Sequence, residues 1–183
     1  TVKFQDNISR RVDNEFSFLS EIGSFETMLI ALLLIIFAFI FLRKFLAAIS
    51  AFILFGGFHI IELFGKYAVD HLPPPHFMLR TKQLIEFPQF HVRSEFSYPS
   101  GHSGRAAFFS VILLVLIFQS KQLSLPVKYA LSALILGYDI LMFVSRVYLG
   151  EHWTTDVLGG ALLGLGFGLV TSAFLVDNKK QAN

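Results

Sequence analysis

Five apolar stretches separated by polar links constrain this chain more than any other feature. Each is close to the roughly 20 residues that an α-helix needs to cross the hydrocarbon core of a bilayer. Hydrophobic residues make up 54% of the 183 positions and the mean hydropathy is +0.62, well above the values of a soluble domain. The sequence therefore predicts an all-α, multi-span transmembrane helical bundle with about five spanning helices. The predicted spans are Phe25–Leu42, Phe45–Gly65, Gly104–Gln119, Tyr129–Val147 and Val157–Val176.

The segments around these stretches indicate a single integral membrane domain over residues 1–183. In residues 1–22, apolar side chains recur every three to four positions among charged ones, which predicts an amphipathic helix lying at the membrane interface. We interpret this helix as an anchor rather than a functional element. No small-residue cleavage site follows the first stretch, so a removable signal peptide is not expected, and a first residue other than methionine leaves room for a preceding segment.

Two features of the composition exclude classes of function. The chain has no cysteine, which excludes disulfides, thiol catalysis and thiolate metal sites. Its net charge of +2 and the lack of a basic tract interleaved with aromatic residues do not favour binding to nucleic acid. The sequence does not indicate an oligomeric state.

The positions of the basic residues predict the orientation in the membrane. With five spans, the long polar insertion at 66–102 and the link Tyr148–Asp156 lie on one face. The links and tail on the other face carry a cationic excess, which is typical of cytoplasmic loops. We therefore expect a multi-pass protein of the cell membrane whose 66–102 loop faces the extracytoplasmic side. The cations are Arg43, Lys44, Lys121, Lys128, Lys179 and Lys180, against the single acid Asp177.

A short polar motif stands where the third span begins. Pro99 precedes Ser100, Gly101 and His102, and the apolar stretch follows directly. Free backbone N–H groups and the positive end of the helix dipole make such a start a ready anion site, and glycine allows a phosphate to come close. The alternative is an ordinary helix start with an incidental histidine, and this motif alone does not decide between them.

A second polar cluster flanks the link between the fourth and fifth spans. Arg146 lies at the end of one span, and His152 and Asp156 lie at the start of the next, on the same face of the membrane as His102. An i, i+4 spacing on a helix would let the Asp156 carboxylate accept a hydrogen bond from one nitrogen of His152 and leave the other free to attack. Charged groups at this depth are costly unless they pair or serve a site. The cluster therefore favours a phosphate site over structural pairing.

The two motifs resemble signatures of a known family. The sequence "PSGH" at Pro99–His102 and "SRVYLGEHWTTD" at Ser145–Asp156 are similar to the second and third motifs of the type 2 phosphatidic acid phosphatase superfamily. The family's first motif is K-x6-R-P. Here Lys66 and Pro74 match it, but Pro73 stands in the arginine position.

The resemblance implies a role for each matching residue. His152 would attack the phosphorus and form a phosphohistidine, with Asp156 orienting its ring. His102 would protonate the leaving oxygen and later activate water. Lys66, Arg146, Ser100 and the backbone N–H of Gly101 would hold the phosphoryl oxygens.

The missing arginine predicts a substitute cation. Arg105, three residues after His102, is the first choice, because helical side chains lean back toward the N-terminus. Arg80 is the second choice. The alternative for Arg105 is a structural pair with Glu95 or Glu151.

We therefore expect a metal-independent membrane enzyme, a lipid phosphate phosphatase that acts on a phospholipid or polyprenyl (pyro)phosphate and needs no cofactor. A lipid phosphotransferase using the same site and a non-catalytic membrane protein with a degenerate site are the alternatives. Metal ligation by His102, His152 and Asp156 is a competing interpretation that the nearby cations Lys66 and Arg146 disfavour.

Other expectations concern residues to which no catalytic role is assigned. Glu62 pairs with Lys66, with a proton relay as the alternative, and Asp139 pairs across the bundle. His71, His76 and His91 are solvated, and Trp153 is an interface anchor. The glycines that allow close helix packing are Gly159, Gly160, Gly164, Gly166 and Gly168.

Overall fold

The structure, a computed structural model, describes residues 5–82 and 96–176, and this part of the chain is helical without strands. It contains six α-helices of ten residues or more. Two short 3-10 turns lie at Arg10–Val12 and His76–Met78. The predicted all-α bundle is confirmed. The helices are α1 (Asp13–Ile22), α2 (Phe25–Phe41), α3 (Phe45–Ala68), α4 (Gly101–Gln119), α5 (Leu125–Tyr148) and α6 (Thr154–Ala173).

Four helices, α3 to α6, are each long and apolar enough to cross a membrane. The first predicted span differs, since α2 has 17 residues and reaches spanning length only together with the segment before it. That segment, Arg10–Ile22, meets α2 at an angle of 46°. The break follows from local sequence, because Gly23 ends α1 and the Ser24 hydroxyl accepts the N–H of Thr27 at 3.3 Å to begin α2.

The first helix buries its polar side. In α1 the buried side chains are Asp13, Ser17 and Ser20, whereas Phe18 is exposed. The helix packs against α5, and Asp13 accepts a hydrogen bond from the Tyr148 hydroxyl at 2.7 Å. The predicted amphipathic character is therefore present, but its polar face is turned toward the protein. Its placement at a membrane interface stays a prediction.

Small residues bring α4 and α6, the most closely packed pair of helices, together. A Cβ at Gly160 would clash with the carbonyl oxygen of Ser100, and one at Gly164 with that of Gly104. Such contacts between backbones are typical of helix packing in membranes. The prediction of close packing is confirmed at these positions and is wrong for Gly166, where a Cβ would meet nothing within 4 Å.

Aromatic residues fill the centre of the bundle, and aliphatic residues cover much of its outside. Phe39, Phe55 and Phe108 are buried in a cluster that joins α2, α3 and α4. Leu134 and Leu162 on the outer faces are each 70% exposed, as lipid-facing side chains are. The described parts of two polar connections, 69–82 with 96–100 and 149–153, lie at one end of this bundle, where the main-chain N–H of Ser100 donates to the carbonyl oxygen of Asp156 at 2.9 Å. The end of α3, the start of α4, the end of α5 and the start of α6 therefore meet there.

Candidate active site

His152 and Asp156 form the predicted contact, but not on a single helix. His152 Nδ1 lies 3.4 Å from Asp156 Oδ2, and both side chains are buried. His152 lies in a bend before α6, which begins at Thr154. The assumption that both residues are helical is wrong. The contact forms because Asp156, in the first turn, points back past the helix start, where its Oδ2 also accepts the main-chain N–H of Trp153 at 3.0 Å.

The start of α4 has the expected geometry for an anion site. The helix begins at Gly101 with Ser100 as its N-cap residue. The Ser100 side chain is fully buried, and its hydroxyl has no hydrogen-bond partner in the described part of the chain. The first N–H groups of a helix have no intrahelical acceptors. An uncommitted hydroxyl and free N–H groups therefore lie together at this terminus.

Close packing explains the glycine at the first position of α4. A Cβ at Gly101 would clash with a Glu62 carboxylate oxygen and would lie 2.7 Å from an Arg105 guanidinium nitrogen. Any larger residue would push these charged groups aside. The glycine thus lets a buried ion pair lie directly against the backbone of the helix start.

His102 lies among the cations of the site. Arg146, Arg105 and Lys66 lie near its ring. Its ring faces Gly23 at the break between α1 and α2, where a Cβ would come within 3.1 Å of Cδ2. The bundle therefore places this histidine near every cation predicted for the phosphate site except Arg80.

Arg146 is fully buried at the end of α5 and is held by hydrogen bonds on several sides. Its Nη1 donates to Ser20 Oγ at 2.7 Å and to Glu151 Oε2 at 2.5 Å. Its Nε and Nη2 both donate to Ser145 Oγ at 3.3 Å. The guanidinium is thereby fixed in place.

A buried carboxylate links Lys66 to Arg105. Lys66 Nζ donates to Glu62 Oε1 at 2.9 Å, as predicted from the spacing. Arg105 Nη1 lies 3.5 Å from Glu62 Oε2, and its Nε donates to the carbonyl oxygen of Gly23 at 3.1 Å. Arg105 therefore pairs with Glu62, not with Glu151, and Glu95 lies outside the described residues. Its role as a phosphate donor stays a prediction.

Arg80 occupies a different place. Its Nη1 donates to the carbonyl oxygen of Gln5 at 3.1 Å and to the Tyr148 hydroxyl at 3.2 Å. Its guanidinium carbon lies 5.2 Å from the centre of the Tyr148 ring. These contacts attach the insertion to the N-terminal segment, and they involve none of the other predicted site residues.

Three further residues that touch the site were not predicted to belong to it. Glu151 and Ser20 both bind Arg146, as described above. His71, expected to be solvated, has its Nδ1 2.8 Å from Asp156 Oδ1. Ser20 lies outside the motifs and His71 occupies a variable position of the first one, so sequence spacing carries no signal for either contact. Glu151 adjoins His152 in the sequence, and this adjacency is the one sequence signal that places Glu151 near the site.

The remaining predictions concern single side chains. Asp139 accepts a hydrogen bond from Ser110 of α4 at 2.8 Å, so the predicted partner across the bundle is present. Trp153 donates from Nε1 to the carbonyl oxygen of Leu72 at 2.8 Å. His76 is exposed, and His91 lies outside the described residues. Within residues 5–82 and 96–176, no three histidine or acidic side chains are grouped as metal ligands.

Comparison with known sequences decides the family. Residues 44–180 match the sequence profile of the PAP2 superfamily. The chain belongs to this superfamily. The predicted family and the predicted enzyme class, a phosphatase of the membrane, are thereby confirmed. The matched range contains all the predicted site residues.

Three curated relatives are similar to this chain. Phosphatidylglycerophosphatase B of Bacillus subtilis is 31% identical over 149 residues, which are 80% of this chain and 67% of that protein. Undecaprenyl-diphosphatase of Sulfolobus acidocaldarius is 32% identical over 100 residues, 55% of this chain and 41% of that protein. Dihydrosphingosine 1-phosphate phosphatase YSR3 of Saccharomyces cerevisiae is 34% identical over 70 residues, 38% of this chain and 17% of that protein.

Two solved structures share the fold. The transmembrane PAP2 type phosphatidylglycerolphosphate phosphatase from Bacillus subtilis has a TM-score of 0.74 at 23% identity, covering 98% of this chain and 83% of that one. LpxE of Aquifex aeolicus has a TM-score of 0.63 at 23% identity, covering 93% and 90% of the two chains. The described residues contain four helices long and apolar enough to span, and the relatives are membrane proteins, so the chain is a multi-pass membrane protein.

Proposed function

We propose that this chain hydrolyses a lipid phosphate without a metal, through a phosphohistidine formed on His152. The observation that carries the proposal is the pair of His152 and Asp156 at 3.4 Å, beside the buried Arg146. A carboxylate on Nδ1 favours the tautomer whose Nε2 is unprotonated and nucleophilic. Membership of the PAP2 superfamily supports the same chemistry.

The first step transfers the phosphoryl group to the protein. His152 Nε2 attacks phosphorus in line, an N–P bond forms, and the P–O bond to the lipid breaks. His102, as the imidazolium, gives its proton to the departing oxygen, which leaves as the lipid alcohol. Asp156 stabilises the positive charge that develops on the His152 ring.

The second step releases phosphate. A water molecule gives a proton to His102 and attacks phosphorus, and the N–P bond breaks. His152 is then free and His102 is again protonated, so the chain returns to its starting state. An alcohol in place of water would give the transferase alternative.

The phosphoryl oxygens need donors where negative charge gathers. Arg146, Lys66, the Ser100 hydroxyl and the backbone N–H of Gly101 are the groups we assign to this role. Support for Ser100 comes from its buried hydroxyl, which has no partner among the described residues. Buried polar groups usually have partners, and a bound phosphate would supply one.

The substrate class follows from the relatives and from the place of the site. A site at the polar end of a helical bundle suits a lipid whose head group enters while its tails remain in the bilayer. We propose phosphatidylglycerol phosphate or a similar lipid monophosphate, because a relative that matches 80% of this chain is named a phosphatidylglycerophosphatase. A polyprenyl diphosphate is the second choice, on the basis of the Sulfolobus relative.

The test is phosphate release by the purified protein from phosphatidylglycerol phosphate, phosphatidate, sphingoid base phosphate and undecaprenyl diphosphate. We expect release that vanadate inhibits and that EDTA leaves unchanged. His152→Ala protein, purified in the same way, is the matched control. Transfer to an added alcohol without release to water would support the transferase. No turnover of any of these lipids, together with no vanadate binding, would support a non-catalytic protein, and inhibition by EDTA that a divalent ion reverses would contradict the metal-free mechanism.

A further inference from the structure

His71 lies at the site although it occupies only a variable position of the first motif. It follows α3 in an extended stretch, five residues after Lys66 and two before Pro73. Its Nδ1 is 2.8 Å from Oδ1 of Asp156, and its side chain is 35% exposed. The insertion thus brings a second imidazole to the carboxylate that contacts His152.

The two oxygens of Asp156 have different surroundings. Oδ2 accepts the main-chain N–H of Trp153 at 3.0 Å and lies 3.4 Å from His152 Nδ1. Oδ1 is buried, and His71 Nδ1 approaches it at ion-pair distance without the alignment of a good hydrogen bond. A buried carboxylate oxygen that lacks a donor is destabilising. His71 is therefore a group that can compensate Oδ1 at ion-pair distance, together with the Ser97 side chain, which also interacts with the Asp156 carboxylate.

The ring of His71 is held in this orientation. The main-chain carbonyl oxygen of His71 accepts hydrogen bonds from the N–H of Ser97 at 2.9 Å and from the Ser97 hydroxyl at 3.1 Å. On the far side of the ring, the Thr155 hydroxyl lies 3.5 Å from Nε2. If Thr155 donates to Nε2, that nitrogen carries no proton and Nδ1 carries one. This tautomer places an N–H group near both Asp156 Oδ1, at 2.8 Å from Nδ1, and the Ser97 hydroxyl, at 3.4 Å from it.

A neighbouring contact attaches the same stretch to the same helix start. Trp153 Nε1 donates to the carbonyl oxygen of Leu72 at 2.8 Å. Two consecutive residues of the insertion, His71 and Leu72, are thus joined to the first turn of α6. A segment anchored twice can fix the rotamer of Asp156, which a solvated histidine could not do.

We propose that His71 is a positioning residue for phosphoryl transfer, which holds Asp156 by one oxygen so that the other stays on His152. The proposal rests on the proposed function. His71 acts on the reaction through Asp156 and does not touch the phosphate. Its loss weakens the orientation of the nucleophile and leaves substrate binding intact, because Arg146, Lys66 and Ser100 do not depend on it.

The test compares two amides of different length. In His71→Asn the side-chain nitrogen replaces Nδ1, whereas in His71→Gln it lies nearer the position of Nε2. We expect His71→Gln and His71→Ala to lower kcat by about ten- to a hundredfold with KM within about threefold of wild type, and His71→Asn to retain kcat within about threefold. His76→Ala, at an exposed histidine of the same insertion, is the matched control and should be unchanged. The rate at which the phosphoenzyme forms in a rapid quench should fall in parallel with kcat.

Several outcomes would overturn the proposal. They are wild-type kcat in both His71→Gln and His71→Ala, an equal loss in His71→Asn and His71→Gln, or a change confined to KM. If these variants keep wild-type turnover while His152→Ala has none, the role of His71 fails and the proposed function stands.

A measurement that needs no turnover covers the case in which no lipid is hydrolysed. The signal of the His152 Nδ1–H group, followed by proton–nitrogen-15 NMR of the full chain in detergent, should shift in His71→Gln and not in His71→Asn. An unchanged signal in His71→Gln would overturn the contact through Asp156. A shift without turnover of any lipid would support the contact and count against the proposed function.

Discussion

Glu151 accepts a hydrogen bond from Arg146 at 2.5 Å, so a carboxylate already pairs with the guanidinium that we assign to phosphate binding. Glu151 is 19% exposed and also accepts the hydroxyl of Thr81. A buried arginine needs a partner when the site is empty, because an unpaired buried charge is costly. A phosphate would compete with Glu151 for the same donor.

The first prediction is that Glu151→Gln binds phosphate analogues more tightly. The amide oxygen keeps an acceptor for Arg146, and the negative charge that repels the ligand is removed. We expect the inhibition constant of vanadate to fall by about three- to tenfold, a change of about 0.7 to 1.4 kcal/mol. Glu15→Gln, at an exposed acid on α1, is the control. Weaker inhibition would mean that Glu151 mainly positions Arg146.

The second prediction concerns the nucleophile and its partner. His152→Ala should abolish turnover to the background of the assay, because no other group replaces Nε2. Asp156→Asn should retain a trace, with kcat about 10⁴-fold below wild type, as in other enzymes where a carboxylate sets the tautomer of a histidine. Steady-state phosphate release distinguishes the two variants. In addition, the acid-labile phosphoprotein expected of a phosphohistidine should be absent from His152→Ala. Near-normal turnover by His152→Ala would contradict the phosphohistidine.

Regular elements account for most of what sequence could predict. The spans follow from the apolar runs, and the pair of Lys66 and Glu62 follows from helical spacing on α3. The motif residues arrive at one end of the bundle because the helices alternate in direction. The helical spacing of His152 and Asp156 gave the right contact for the wrong reason, since His152 precedes the helix.

Irregular segments account for the contacts that were missed. His71 reaches Asp156 from 85 residues away, through an extended stretch that has no periodicity to interpret. Ser20 reaches Arg146 because α1 turns its polar face toward α5, whereas the sequence pattern predicts only an amphipathic helix at the membrane interface. Contacts of this kind depend on how a loop or a helix docks, which local spacing does not encode.

The third prediction concerns orientation and uses the absence of cysteine in the native sequence. The cationic links predict that the α4–α5 connection is cytoplasmic and that the insertion is outside. A cysteine at Phe77, which is 81% exposed, should react with an impermeant maleimide in intact cells. One at the exposed Gln122 should react only after lysis. The opposite labelling would place the site in the cytoplasm.

The last prediction concerns the arginine that motif 1 lacks at Pro73. Arg105 shares Glu62 with Lys66, and its guanidinium reaches both Glu62 and the carbonyl oxygen of Gly23. A lysine at this position has a single ammonium group and cannot make both contacts in the same geometry. Glu62 would then neutralise Lys66 more fully and weaken its attraction for phosphate. Arg105→Lys should therefore act on the site whether or not the guanidinium also touches the substrate.

We expect Arg105→Lys to lower kcat/KM by about ten- to a hundredfold, or about 1.4 to 2.7 kcal/mol, measured at limiting lipid. Arg80→Lys should change it by less than about threefold, because the contacts of Arg80 are with Gln5 and Tyr148. Adding Glu62→Gln to Arg105→Lys should recover part of the loss if the effect passes through Lys66, and thermal unfolding of each variant checks that it is folded. A larger loss in Arg80→Lys would assign the missing donor to the insertion. Wild-type activity in both variants would mean that the site holds phosphate without either arginine, and that Lys66 and Arg146 suffice.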